Sequence, residues 1–475
     1  MNVLILDIDS LRPDHIGAYG YDPPTTPHVD SVAADGVRFT RAYAANSPCM
    51  PSRAALLSGR FGIHNGVATH GALGQTLFEP RTREQWTQPS EAFSTLPELL
   101  YNDRIVTGSV SSFPRHPARW FYTLWHEFCV PQEPAERPTD IPRETPSPHG
   151  LPGEGFQTPR AEAVVDLAQR FIHLHADDQF FLYTQLWDPH EPYNRRQSEI
   201  EQFRDVTPLP PHPTADQIDD HQSWDTVRGA TDMNIASRGD VQELLARYDA
   251  EIRYADEHIG RLIETLKREG LYAETLVIIT ADHGEEFGEH GSYRHHWSTH
   301  DGTQRIPLII KPPTSFGGPS GASCDALVTN ADIGPTVAAC LDIEPPSGWQ
   351  GRSLTPMVAD PDTGRDGARR PYIVFDHGLY TAQRAVQTDR WKLVRTYHPG
   401  LWADVTPSIQ LFDMSADPWE QMNVAPDHPD VVSRLTEHRR EWVDEYRGPE
   451  EDSLRQVARE CPAGYRWFTD AFDGV

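Results

Sequence analysis

The chemistry in this sequence is concentrated in short runs where reactive side chains stand beside chain-breaking or cationic ones. In NSPCMPSRAALLSGR a thiol, Cys49, precedes Pro51, Ser52 and Arg53. Pro51 suits the first turn of a helix, Ser52 to Leu57 can continue it, and Gly59 can end it. Cys49 is therefore expected at or just before a helix N-terminus, where unpaired amides and the dipole favour anions and a thiol has a lowered pKa. Arg53, one turn on, can reach back toward an anionic group. Three roles stay open for the thiol: quiet packing, nucleophile, or precursor of a group that the genetic code does not supply. Two further runs, ADHGEEFGEHG and DPHEPY, place Asp282, His283 and His190 directly after apolar stretches.

Those stretches read as the elements that position the chemistry. NVLILDID is a buried strand from the start of the chain, with Asp7 and Asp9 at its C-terminal end. Asp7 is expected on the opposite face of that strand from Asp9. TLVIIT (275–280) leads into Asp282 and His283, and FFLYTQLW (180–187) delivers Asp188 to Tyr193. In open α/β sheets ligands collect beyond the carboxyl ends of strands, so three such ends imply one shared site. VQELLARYDAEIRYADEHIGRLIETLKREG repeats apolar residues at helical spacing and stops at Gly270. The stretches from Pro131 to Pro159 and TPLPPHPTADQIDDHQSW are dense in proline and read as loops. After about residue 345, PYIVFDHG, RAVQTDRWKLVRTY and QLFDMSADPWEQ read as short strands, closed by a helix from Pro429 to Tyr446. The expected division is a catalytic domain over 1–345 and a C-terminal domain with an antiparallel sheet over 346–475.

Composition narrows the functions. With 475 residues and 38% hydrophobic content the chain can bury a substantial core. A net charge of −28, from 70 acidic and 42 basic residues, argues against nucleic acid and anionic membranes as partners. A locally positive pocket for a small anion is compatible with that total. No run approaches the roughly 20 apolar residues of a membrane span. Five cysteines without a CxxC pair suit a reducing compartment. The first residues carry no basic leader or cleavage site, so a cytoplasmic location is expected. Nothing in the sequence sets the oligomeric state.

The run Cys49-x-Pro51-Ser52-Arg53-x-x-x-Leu57-x-Gly59-Arg60 resembles the signature of the sulfatase family. The likeness continues through TTPHVDSVAADGVRFTRAYA, DPHEPY, ADHGEEFGEHG, RIPLII, RAVQTDRWKLVR and LFDMSADPWEQ, nearly the length of the chain. It implies an alkaline phosphatase-like α/β fold, with a large, mostly parallel mixed sheet sandwiched by helices. It also implies conversion of Cys49 to formylglycine, by a formylglycine-generating enzyme acting before folding. The hydrated aldehyde is a geminal diol: one hydroxyl attacks sulfur as the alcohol leaves, and deprotonation of the second later breaks the carbon–oxygen bond, expelling sulfate and regenerating the aldehyde.

The same resemblance implies one divalent metal at Asp9, Ser10, Cys49, Asp282 and His283, with calcium favoured over magnesium or manganese. Many sulfatases end the first strand in two acids, whereas here Asp9 is followed by Ser10. Arg53 and His190 match catalytic positions. The family lysines near the sulfate are missing; His295 or His296 replaces one of them, Arg115 or His116 can stand for the other, and His70 is a further pocket residue. Trp187, Tyr193, Trp297 and Trp402 are candidate pocket walls. His283, His290, His295, His296 and His300 invite a zinc reading, but their spacing fits neither a finger nor one helical face.

The expected activity is hydrolysis of a sulfate monoester. The alternatives are a phosphonate monoester hydrolase or phosphodiesterase with the same nucleophile, a non-catalytic binding protein on the same fold, and a metal-dependent phosphatase with unmodified Cys49.

Overall fold

A continuous apolar run makes β1 (Asn2–Ile8) buried along its whole length, and a strand buried on both faces has to be central. The computed structural model describes residues 1–70, 95–113, 121, 125–131, 160–224, 233–363, 369–403, 405–447 and 451–466. β1 lies between β6 (Phe180–Leu186) and β7 (Thr275–Thr280) and is parallel to both. Beyond β6 come β4 (Val106–Ser111) and β5 (Glu127–Cys129); beyond β7 come β10 (Arg305–Lys311), β2 (Val37–Tyr43) and β11 (Ala322–Thr329). Among the described residues the sheet has eight strands, of which only β10 runs against its neighbours, so it is mostly parallel. The carboxyl ends of β1, β6 and β7 therefore open on one edge.

Helices flank this sheet. The longest, Arg238–Arg268, begins at Ser237, whose side chain accepts a hydrogen bond from Asp240 N. It buries Leu245, Tyr248, Ile252, Ala255, Ile259, Leu262 and Leu266, and Gly270 takes φ 74° just beyond its end. The segment read as a loop from Thr207 to Trp224 contains a helix, Ala215–His221; Thr214 and Gln217 form a capping box that proline density had masked. Of the other expected loop only Pro131 lies within the described residues.

The C-terminal sheet has β12 (Tyr372–His377), β13 (Ala382–Thr388), β14 (Trp391–His398) and β15 (Ile409–Asp413) in antiparallel order. Its edge is completed by β3 (Asn46–Ser47), parallel to β12. The helix Pro429–Tyr446 covers one face with Val431, Leu435 and Trp442, in a core shared with Ala45 and Phe61. A short hairpin, β8 (Glu286–Phe287) with β9 (Tyr293–His295), follows the end of β7. All five cysteines are free, and among the described residues no helix is long and apolar enough to cross a membrane.

Candidate active site

Cys49 opens the helix Cys49–Ser58, and Gly59 ends it at φ 61°. Every residue of that helix is buried, so it runs through the interior with its N-terminus at the strand ends. Cys49 Sγ lies 3.2 Å from His283 Nε2. One turn along, the Arg53 guanidinium contacts three carboxylates: Asp7 at 2.8 Å, Asp9 at 2.9 Å and Asp282 at 2.8 Å. Ser10 donates from Oγ to Asp9 and from its backbone N to Asp282, at 3.1 and 3.2 Å.

Asp7 thus belongs to the site, against the expectation that it faces away. Residues two apart on a strand share a face, so Asp7 and Asp9 point the same way. Tyr183, on neighbouring β6, donates to the same Asp7 oxygen that Arg53 holds. The thiol also departs from expectation. Burial, then the negative charges of Asp9 and Asp282, push it well above its ordinary pKa, and these outweigh Arg53 and the helix end.

Burial raises Asp7 and raises Asp282 well above the usual carboxylate range. It would raise Asp9 too, but Arg53, His190 and His283 pull that group lower. Three enclosed carboxyl groups exceed what one guanidinium can neutralise, which is why Asp7 and Asp282 are pushed toward their protonated forms, and a divalent cation would favour their ionised forms. One donor atom each from Asp9, Cys49, Asp282 and His283 falls within 4.8 Å of the others, and all four residues are buried. The set of carboxylate oxygens and an imidazole fits such an ion.

Above this charged floor lies a tier of rings. His296 packs on His283 at 4.0 Å between centroids, on His295 at 4.9 Å and on His190 at 5.5 Å. Burial and the neighbouring rings hold His296 well below its ordinary pKa. Its Nδ1 is 3.2 Å from Glu285, which also accepts from Tyr193 OH at 3.1 Å. His190 donates from Nδ1 to Glu191 O at 2.8 Å and packs on Trp187. His70 Nε2 accepts from Met50 N at 3.3 Å, beside the nucleophile helix.

The Sulfatase family model matches residues 1–343. The chain belongs to the sulfatase family. A second model, N-sulphoglucosamine sulphohydrolase, C-terminal, matches residues 288–444 of this sulfatase. N-acetylglucosamine-6-O-sulfatase from Bacteroides thetaiotaomicron is 24% identical over 506 residues, covering 93% of this chain and 87% of its own. The structure of BT4656 in complex with its substrate D-Glucosamine-2-N, 6-O-disulfate is similar at TM-score 0.71 and 20% identity, covering 95% of this chain and 99% of that one. Phosphonate monoester hydrolase SpPMH from Silicibacter pomeroyi also reaches TM-score 0.71, at 22% identity, covering 94% and 95%.

The fold of this sulfatase brings Asp9, Ser10, Cys49, Arg53, Asp282 and His283 into one cluster, with His296, His295, His190 and His70 around it. Other candidates separate. His290 stacks on His300 at 3.7 Å, a pairing apart from the His283–His296 stack. Trp297 stays beside the site, packing on His295 at 4.7 Å, and with Trp402 and Tyr380, whose hydroxyl lies 2.9 Å from His295 Nε2. Arg115 and His116 fall outside the described residues.

Sequence reasoning missed Glu285, although it stands in ADHGEE beside two expected ligands. It also missed His377, which ends β12 and holds Ser47 Oγ at 2.8 Å, two residues before Cys49. Gln304 donates to the same hydroxyl from its side chain. No local signal marks His377, because β3 and β12 meet only through the tertiary fold.

Proposed function

We propose that this sulfatase cleaves a sulfate monoester at Cys49 after its conversion to formylglycine. The observation that carries the reading is the convergence of Asp9, Asp282, His283 and Arg53 on a cysteine that opens a buried helix. A soft thiol is a poor partner for hard sulfur and hard cations, whereas formylglycine supplies a hydrated aldehyde as an oxygen nucleophile. Cys49 is 3% exposed, which supports conversion before folding closes over it.

Asp9, Asp282 and His283 would hold the metal, with calcium the first ion to assay, and Cys49 completes the set of donor atoms within 4.8 Å. The metal supplies Lewis acidity. Arg53 fixes the carboxylates of both strand ends, while Ser10 orients Asp9 and Asp282 through its hydrogen bonds. His190, anchored through Nδ1, keeps Nε2 for the leaving oxygen. His296, His295 and His70 take the sulfate contacts that lysines make elsewhere in the family. The relatives named for sulfated glucosamines make an amino-sugar sulfate the first substrate to test.

A second reading, phosphonate monoester hydrolysis, is favoured by one feature: the first strand supplies Asp9 and then Ser10 rather than a second acid. Peptide mass spectrometry across Cys49, on protein from its native host, followed by parallel assays of aryl sulfate and aryl phosphonate esters, tests both readings. An aldehyde mass with sulfate ester preferred supports the first reading. A phosphonate preference would replace it with the second, and an unmodified thiol in active protein would remove the formylglycine chemistry from both.

A further inference from the structure

The C-terminal sheet carries a second concave site, in a cavity of about 280 Å3 between β14, β15 and the two last helices. Strand alternation puts Leu393, Arg395 and Tyr397 on one face of β14. Leu393 and Ile409 make an apolar floor, and Tyr397 forms one wall. Arg439, from the helix Pro429–Tyr446, and Arg455, from the helix Ser453–Glu460, complete a rim with Arg395.

Three guanidiniums around one cavity are unexpected in a chain of net charge −28. Two nearby acids are already engaged. Asp452 makes two hydrogen bonds to Arg384, at 2.7 and 3.0 Å, and Glu451 pairs with Arg459. Arg439 donates to Tyr397 OH, and Arg395 donates weakly to Ser408 O at 3.4 Å. Among the described residues neither of these two arginines forms an ion pair. Arg455 only approaches Asp452, at 4.0 Å, and is 62% exposed.

We propose that this cavity binds a small organic oxyanion: a sulfate, sulfonate, phosphate or carboxylate on a body no larger than one sugar ring. Planar guanidiniums match the paired oxygens of such groups, and the apolar floor takes the body. The volume sits near the lower end of small-molecule pockets, roughly 300 Å3. The chain's net charge of −28 repels a long polyanion, which selects a small ligand over a polymer. The site owes nothing to Cys49 chemistry.

Benzenesulfonate and inorganic sulfate, titrated at constant ionic strength into the full chain and followed by calorimetry, test the proposal. Benzenesulfonate should bind at a site that Arg439→Gln weakens about tenfold, the loss of one charge-assisted bond. Turnover of sulfate esters should stay unchanged in that variant. Arg395→Gln should give the same pattern and carries the test where Arg439→Gln does not fold. Equal binding to wild type and both variants would overturn the proposal by placing the anion elsewhere. Inorganic sulfate binding as tightly as benzenesulfonate would overturn the role of the apolar floor.

Discussion

Arg53 and Arg384 are both fully buried, and both are surrounded by aspartates, but the two clusters are built differently. Arg384 makes two forks: Nε and Nη2 to Asp376, each at 2.7 Å, and Nη1 and Nη2 to Asp452, at 2.7 and 3.0 Å. Asp452 also accepts from Leu454 N at the start of the last helix, so the cluster ties β12, β13 and that helix together. Arg53 spreads single contacts over Asp7, Asp9 and Asp282. The oxygens it leaves on Asp9 and Asp282 take weaker donors, from Ser10 and the His283 backbone. A guanidinium saturated by bidentate carboxylates makes a clamp. One outnumbered by singly held carboxylates leaves negative charge for something else to use.

The sharpest way to break the comparison is at the outnumbered cluster. Asp282→Asn should lower activity by about a thousandfold and lower metal content with it, because the surplus charge and a donor oxygen go together. Far-UV circular dichroism should stay native. Unchanged metal content would take Asp282 out of the ligand set. At the saturated cluster the opposite separation is expected. Arg384→Met should cost about 3–5 kcal/mol in chemical denaturation, since it strands two buried carboxylates. The molecules that remain folded should keep their turnover number. A variant with wild-type stability would mean that the forks hold nothing together.

The strands that carry the carboxylates around Arg53 were legible in the sequence, and the contrast itself was not, for physical reasons. Continuous apolar runs identified β1, β6 and β7 because strands buried on both faces need no alternation. The carboxyl ends of those strands then located Asp9, Asp282 and His190. The clamp was invisible, because Asp376, Arg384 and Asp452 meet only through sheet pairing and the docking of the last helix. The ionisation of Cys49 was also hidden: a helix N-terminus predicts a lowered pKa, and only the packing shows that burial between two carboxylates reverses it. His295 and His296 could not be separated by sequence. The structure ties His295 to Tyr380 and sets His296 against His283 and Glu285. His296→Ala should therefore raise KM about tenfold with a smaller change in kcat, and His295→Ala should do less. The reverse ranking would transfer the sulfate contact to His295.

A last expected effect, on stability rather than turnover, comes from a buried carboxylate that has no guanidinium fork. Asp256 is 1% exposed and accepts hydrogen bonds from the backbone of Val29 and His28, at 2.8 and 3.1 Å. Burial outweighs those bonds and pushes it from 3.8 up to about 7. Between those two values the folded chain holds a proton that the unfolded chain has lost. Its contribution is therefore complete below 3.8 and disappears as pH rises through 7. From about pH 5.5 to about pH 7 the chain should lose about 2 kcal/mol of stability from this group. Asp256→Asn should flatten that slope, because an amide has no proton to give up. A slope equal to that of the wild type would show that hydrogen bonding to two amides satisfies this carboxylate as fully as the fork satisfies Asp452. The distinction between a clamped carboxylate and a protonated one would then rest on geometry rather than on charge.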